Sequence, residues 1–230
     1  MVRSMMFTAL VLAFAAGAAR AEANPFDVEL THPIGGVWNE YANPGVDYPQ
    51  SIQASAGTTL GAYAISVEYH RNVYRTQSAG AGSQTRYATL SGGYAAVAPF
   101  FARDMELEAR AMRSVRGPLA VGAGFLSTWT NYGYPPLRGL GAGVARLPRW
   151  TGHVSLSGSM FYYPAATGSN GTARATFAVL RTDVAARFRP SHSPVYLVGG
   201  YENEIRSGHH LPGAVRLNRS DPFVGIGLRP

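Results

Sequence analysis

The chain has 230 residues, 46% of them apolar, with 20 basic against 13 acidic residues and a formal net charge of +7. All the basic residues are arginine and cysteine is absent, which excludes a disulfide framework and any thiolate metal site. The mean hydropathy of -0.05 is too polar for a bundle of membrane helices, and the arginines lie one or two per segment among acids rather than in the basic stripe that nucleic acid requires.

Residues 1–21 read as a secretory signal peptide. Arg3 supplies the positive start, Met5 to Ala19 is an uncharged apolar stretch, and Ala19-Arg20-Ala21 gives the small-x-small pattern that signal peptidase accepts. The apolar stretch is shorter than the roughly 20 residues a spanning helix needs. Residues 22–230 are then expected to form one domain, in which Arg3 and Arg20 are gone and 18 arginines face 13 acids. Beyond residue 21 no stretch of 18 apolar residues is free of charge, so a membrane could be crossed only by a closed barrel.

A weak first strand is expected within Pro25 to Tyr41, followed by a loop from Ala42 to Gly57. Thr58 to Tyr74 alternates, with Tyr63, Ile65, Val67 and Tyr69 on one side and Ala62, Ala64, Ser66, Glu68 and His70 on the other. This is the two-residue period of a strand. Ser83 to Ala98 is a further candidate. Arg103 to Arg113 sets Met105, Leu107, Ala109 and Ala111 against Asp104, Glu106, Glu108 and Arg110, whereas a helix would scatter those charges around its circumference.

Leu119 to Phe125 and Gly139 to Val144 alternate apolar residues with glycine or alanine, as expected where an inner wall is crowded. Trp150 to Tyr163 opposes Val154, Leu156, Met160 and Tyr162 to His153, Ser155, Ser157 and Ser159. Thr172 to Phe188 opposes Leu180, Val184 and Phe188 to Arg181, Asp183 and Arg187, with Phe177 and Val179 out of phase and suggesting a bulge. Val195, Leu197 and Tyr201 oppose Tyr196, Glu202, Glu204 and Arg206, and Val224, Ile226 and Leu228 close the series.

Ten candidate strands result, and a closed bacterial barrel takes an even number, so eight or ten are expected. Short turns at Ser114 to Gly117, Leu147 to Arg149 and Arg189 to Ser193 are assigned to the periplasmic end. Longer connections at Asn131 to Leu137, Ala165 to Gly171 and Ser207 to Asn218 are assigned to the outer one. Arg75 to Gly82 breaks this trend by being long at the periplasmic end.

The expected fold is all-β, a closed antiparallel up-and-down transmembrane β-barrel. On this alternation the chain resembles the small bacterial outer-membrane β-barrel proteins of eight to ten strands, which implies residence in the outer membrane, outer-membrane lipids and lipopolysaccharide as neighbours, and extracellular loops as the working surface. Such proteins commonly end in an aromatic residue, whereas this chain ends Leu228-Arg229-Pro230.

The inward faces collect Glu68, Arg86, Asp104, Glu106, Glu108, Arg110, Arg181, Asp183, Arg187, Glu202, Glu204 and Arg206, with acids and arginines in near balance. In so narrow a barrel side chains largely fill the lumen, so these residues are expected to form a salt-bridged plug, a selective pore being the alternative. His153 and Ser155 are similar to the His-x-Ser element of outer-membrane lipid A deacylases, but the acid that would orient the histidine is missing, with Thr167 near its place. His209 and His210 lack a third ligand at metal-binding spacing, and Trp129, Tyr132 and Tyr134 read as interface aromatics. The expectation is therefore a monomeric structural or surface-interaction protein, without catalysis, cofactor, metal or nucleic acid. A small-solute channel, a lipid A hydrolase and a soluble periplasmic ligand-binding barrel are the alternatives.

Overall fold

The computed structural model describes residues 26–34, 37–40, 43–47, 51–76, 101–130, 135–170, 173–190, 193–209 and 216–230. Twelve strands follow one another: β1 (Phe26–Pro33), β2 (Val37–Glu40), β3 (Asn43–Asp47), β4 (Ile52–Leu60), β5 (Tyr63–Thr76), β6 (Phe101–Arg116), β7 (Leu119–Thr130), β8 (Leu137–Thr151), β9 (Val154–Asn170), β10 (Ala173–Phe188), β11 (Val195–His209) and β12 (Arg216–Leu228). They form ten staves, because β1 and β2 pair with successive stretches of β12, and β3 and β4 with successive stretches of β5. Every pairing is antiparallel, and the ring closes through β1 and β2 on β12. Among the described residues, closure joins the first and last staves rather than leaving them as sheet edges. Among the described residues no helix is long and apolar enough to cross a membrane.

Alternation sorts the side chains by solvent. Leu140 is 74% exposed on the outside, with Ile65, Phe125, Val184, Leu197 and Ile226 also exposed, while Glu106 and Glu108 are 0% exposed inside. An apolar exterior around a charged interior reverses the polarity of a water-soluble barrel and suits a wall set in lipid. A soluble ligand-binding barrel, with its apolar face inward, is not what the strands form.

Tight turns gather at one end. Gly61, Gly117 and Gly152 lie in two-residue connections with φ of 62°, 56° and 62°, a region costly for residues with a Cβ. By the rule of short periplasmic turns this is the periplasmic end, and both termini of the barrel, Phe26 and Leu228, lie there in the β1–β12 ladder.

Several expected boundaries are corrected. Ala42 to Gly57 is strand over much of its length, since Ser, Gly and Ala satisfy an inward face as well as they satisfy a loop; Gln53, Ser55 and Gly57 pair with His70, Glu68 and Ser66. The hairpin turn falls inside Thr58 to Tyr74, at Gly61 and Ala62. With that extra stave, the connection after Thr76 belongs to the outer end, which removes the anomaly at Arg75 to Gly82. The strand expected at Ser83 to Ala98 lies outside the described residues, and β5 pairs directly with β6. Leu147 to Arg149 belongs to β8 at a register shift, the turn being Gly152 and His153. Ala165 to Asn170 continues β9.

Phe177 and Val179 are in phase with Arg181 and point inward, both essentially fully buried. The irregularity lies on the neighbouring strand, where Tyr163 to Ala166, containing Pro164, spans Val179 to Phe177. A proline cannot donate to the ladder, so the bulge sits there. The inward faces of β7 to β10 thus carry a buried apolar seam that includes Leu126, Leu137, Phe161, Tyr163, Phe177 and Val179. Glycines make the room: a Cβ at Gly124 would lie 2.4 Å from the Tyr163 hydroxyl, and one at Gly227 would lie 2.1 Å from the Tyr196 ring.

Gly227→Ala is therefore expected to displace Tyr196 and destabilise the barrel by about 1–3 kcal/mol, the usual cost of overpacking. Gly199→Ala, whose Cβ would meet nothing closer than 3.6 Å, is expected to change stability by less than about 0.5 kcal/mol. The temperature at which each variant loses its heat-modifiable gel mobility measures both.

Candidate functional site: the charged lumen

Glu106, Glu108 and Arg110 enter the lumen from β6, Arg181, Asp183 and Arg187 from β10, and Glu202, Glu204 and Arg206 from β11. Glu68 and His70 enter from β5, Arg219 and Asp221 from β12. Period-two geometry sends each set to one face, and the register sets Arg181 opposite Glu204 and Asp183 opposite Glu202.

Arg181 is the centre. Its guanidinium lies 2.5 Å from Glu108 and 3.3 Å from Glu204, with Glu106 at 3.7 Å and Glu202 at 4.0 Å. Arg110 forks onto Glu108 at 2.6 and 2.9 Å and reaches Glu68 at 3.1 Å and Asp183 at 3.6 Å. Arg206 donates to Glu204 at 2.5 Å, pairs closely with Glu106 and lies 3.2 Å from Asp104. Arg219 reaches Glu106 at 3.0 Å, Glu202 at 2.8 Å and Asp221 at 2.8 Å. Tyr163 and Gln53 donate to Glu108 and Glu202, and His70 stands 3.4 Å from Glu202. Arginine suits this work because its planar fork bridges two carboxylates at once.

Arg187 lies apart from this cluster. It holds Glu29 with both arms of its fork and donates to Ser157 at 2.5 Å, while the Tyr196 hydroxyl donates to Glu29 at 2.8 Å. The ten inward residues Glu68, Glu106, Glu108, Arg110, Arg181, Asp183, Arg187, Glu202, Glu204 and Arg206 thus fall into two groups, nine in the central network and Arg187 nearer the periplasmic mouth. Asp104 joins the centre; Arg86 lies outside the described residues.

The near balance of acids and bases is corrected. Glu68, Asp104, Glu106, Glu108, Asp183, Glu202, Glu204 and Asp221 face Arg110, Arg181, Arg206, Arg219 and His70, a surplus of acid among the described residues. Arg219 and Asp221 were missed because they follow directly on the loop expected at Ser207 to Asn218, where polar Ser220 and Pro222 hide the alternation. Glu29, Thr31 and Gln53 were missed for the same kind of reason, on staves whose alternation is weak. The signal available was parity with Phe223, Gly225 and Gly227.

Two cavities border the network. One of about 160 Å³ at the periplasmic side is lined by Glu68, Arg110, Asp183, Arg187, Arg146 and Arg229, among others. A smaller one of about 80 Å³ reaches Gln53, His70 and Glu202. They share Glu29, Ser55, Glu68, Asp183 and Arg187, so the periplasmic vestibule ends against the ion pairs.

His153 is corrected from the lumen to the β8–β9 turn, where it is exposed and its Nδ1 lies 3.0 Å from the Arg189 carbonyl. Ser155 is buried inside. A turn residue does not continue the strand's alternation, so the two do not form a nucleophile pair. The side chains of His209, His210, Tyr132 and Tyr134 lie outside the described residues.

No family model matches the chain, and no curated protein matches it. Among solved structures it is similar to Neisserial surface protein A, at 12% identity and a TM-score of 0.38 over 90% of this chain and 97% of that one. It is similar also to a major outer membrane protein from Thermus thermophilus, at 12% and 0.36 over 91% and 100%, and to the Pseudomonas putida toluene transporter TodX, at 9% and 0.30 over 91% and 89%. At these scores the likeness is one of outline. The ladder of the chain itself establishes the barrel. The architecture is that of a closed ten-stave antiparallel barrel, apolar outside and charged within.

Removing Arg181 takes the shared central cation from four buried glutamates and deepens the acid surplus, which Arg110, Arg206 and Arg219 then offset only in part, so Arg181→Met is expected to destabilise the barrel by about 3 kcal/mol. Val184→Ala, on the outer face of the same strand, is expected to cost less than about 1 kcal/mol, because its methyl groups already face lipid. Urea unfolding of the refolded protein in detergent compares the two.

Proposed function

We propose that this protein is an exported, monomeric structural or surface-interaction barrel of the outer membrane, its first 21 residues serving export and its outer-end loops serving as the contact surface. One observation carries the reading: Arg181, Arg110, Arg206 and Arg219 each engage two or more carboxylates from different strands, so the lumen cross-section is occupied by mutually held side chains. Such an interior fixes strand register and leaves the exterior to function. Exposed Arg138 and Arg174 lie on the outer-end stretches of β8 and β10, at the height where lipopolysaccharide phosphates would meet them. The catalytic reading has no assembled nucleophile pair at His153 and Ser155 to support it.

A channel is the second reading, favoured by the vestibule that enters from the periplasmic side. Its acid surplus would make any such pore prefer cations. Purified protein in a planar bilayer is expected to give no steady open-channel current, whereas Glu108→Ala/Arg110→Ala/Arg181→Ala, which removes the side chains spanning the lumen, is expected to conduct cations. Steady openings of the unaltered protein would reverse the order of the two readings.

A further inference from the structure

The acids and arginines are not distributed alike. Every acid whose side chain is described faces the lumen, including Asp27 and Glu29 at the periplasmic mouth. Among the described residues the outside carries arginine and no acid. At the periplasmic end Arg113, Arg116, Arg146 and Arg149 are all exposed, Arg146 standing at the rim, outward by its register with Leu119 while also bordering the periplasmic cavity, and none has an ion-pair partner among the described residues. The two nearby acids are taken, Asp27 lying 3.8 Å from Arg229 and Glu29 being held by Arg187.

These arginines form an arc on β6 and β8. Arg113 stands beside outward-facing Tyr63, which is 56% exposed, and Arg116 and Arg146 both pair in register with Leu119. Just above the arc Ala111, Ala123 and Ala142 are in register across three strands and all exposed. Ile65 and Tyr162 close this row at its two ends, Phe125 and Leu140 stand above it, and Val121 and Val144 below. The result is a furrow one side chain deep on the lipid face, with unneutralised guanidinium groups at its lower edge.

We propose that this arc and furrow bind one anionic phospholipid of the periplasmic leaflet, its phosphate held by Arg113 and Arg146 and one acyl chain lying over Ala111, Ala123 and Ala142. The inference rests on the transmembrane reading above. Guanidinium groups take phosphate oxygens in charge-assisted pairs, and a headgroup of net negative charge brings no ammonium to compete for them. A lipid fits better than a soluble partner because Arg113 and Arg146 share outward parity with the apolar band. It fits better than a second copy because an outer face with arginine and no described acid would set like charges together.

The full mature chain in a zwitterionic detergent, titrated with phosphatidylglycerol or with phosphatidylcholine of the same acyl chains and read by native mass spectrometry, tests this. The unaltered barrel is expected to retain one phosphatidylglycerol about tenfold more tightly than phosphatidylcholine, the worth of about 1.4 kcal/mol. Arg113→Gln/Arg146→Gln should bring that ratio near one, and Ala123→Leu should weaken both lipids together. Arg138→Gln/Arg174→Gln at the opposite end should change neither, and heat-modifiable mobility checks that each variant is folded.

An unaltered ratio in the Arg113/Arg146 variant, or an equal loss in the Arg138/Arg174 variant, would overturn the site. So would a dimer that Ala123→Leu converts to monomer, since the furrow would then belong to a second copy. Failure of the unaltered protein to enter phosphatidylcholine vesicles would remove the transmembrane reading as well; entry without phosphatidylglycerol preference removes only the lipid site.

Discussion

Arg181 surrounded by Glu108, Glu204, Glu106 and Glu202 is the constraint on which the rest of the barrel depends. A charge taken from water must be repaid by close opposite charge and by hydrogen bonds, and here the partners come from β6 and β11 while the arginine comes from β10. Moving any one of these strands by a single residue would turn its whole charged row toward lipid. The network therefore sets register around the ring as well as filling its interior.

The apolar seam solves the complementary problem. Side chains along β7 to β10 would crowd the lumen if every inward position carried a large residue, so glycine on β7 and β8 accepts the rings of Phe161 and Tyr163. Tyr163 then serves both materials, its ring lying in the seam and its hydroxyl donating to Glu108. A bulge at Pro164 keeps Ala166 inward beyond it. Packing and ion pairing are joined at that one side chain.

This allocation explains the unusual charge distribution. Among the described residues acids are confined to the interior, where arginines can compensate them, and exposed arginines stand toward both ends of the barrel. Among the described residues the outer face is thus positive, while the lumen is acidic.

Where alternation was strong, as in Arg103 to Arg113 and Val195 to Arg206, the sequence alone determined strand, face and solvent. It did so because a period of two has no helical counterpart, and because a row of successive charges cannot be set in the hydrocarbon core of a bilayer. It gave the first stave only as a weak strand within Pro25 to Tyr41, and it could not place β3 or β4, since small and hydroxylated residues such as those of β4 fit a wall and a loop equally well, nor count Arg219 and Asp221, hidden in a polar run beside Pro222. Near His153 parity gave the wrong face, since a turn ends the alternation that parity assumes. Which carboxylate meets which guanidinium, and where the alanines align into a furrow, only the tertiary structure decided. Both depend on register between strands far apart in the chain, and register is fixed by closure of the whole ring rather than by any one segment.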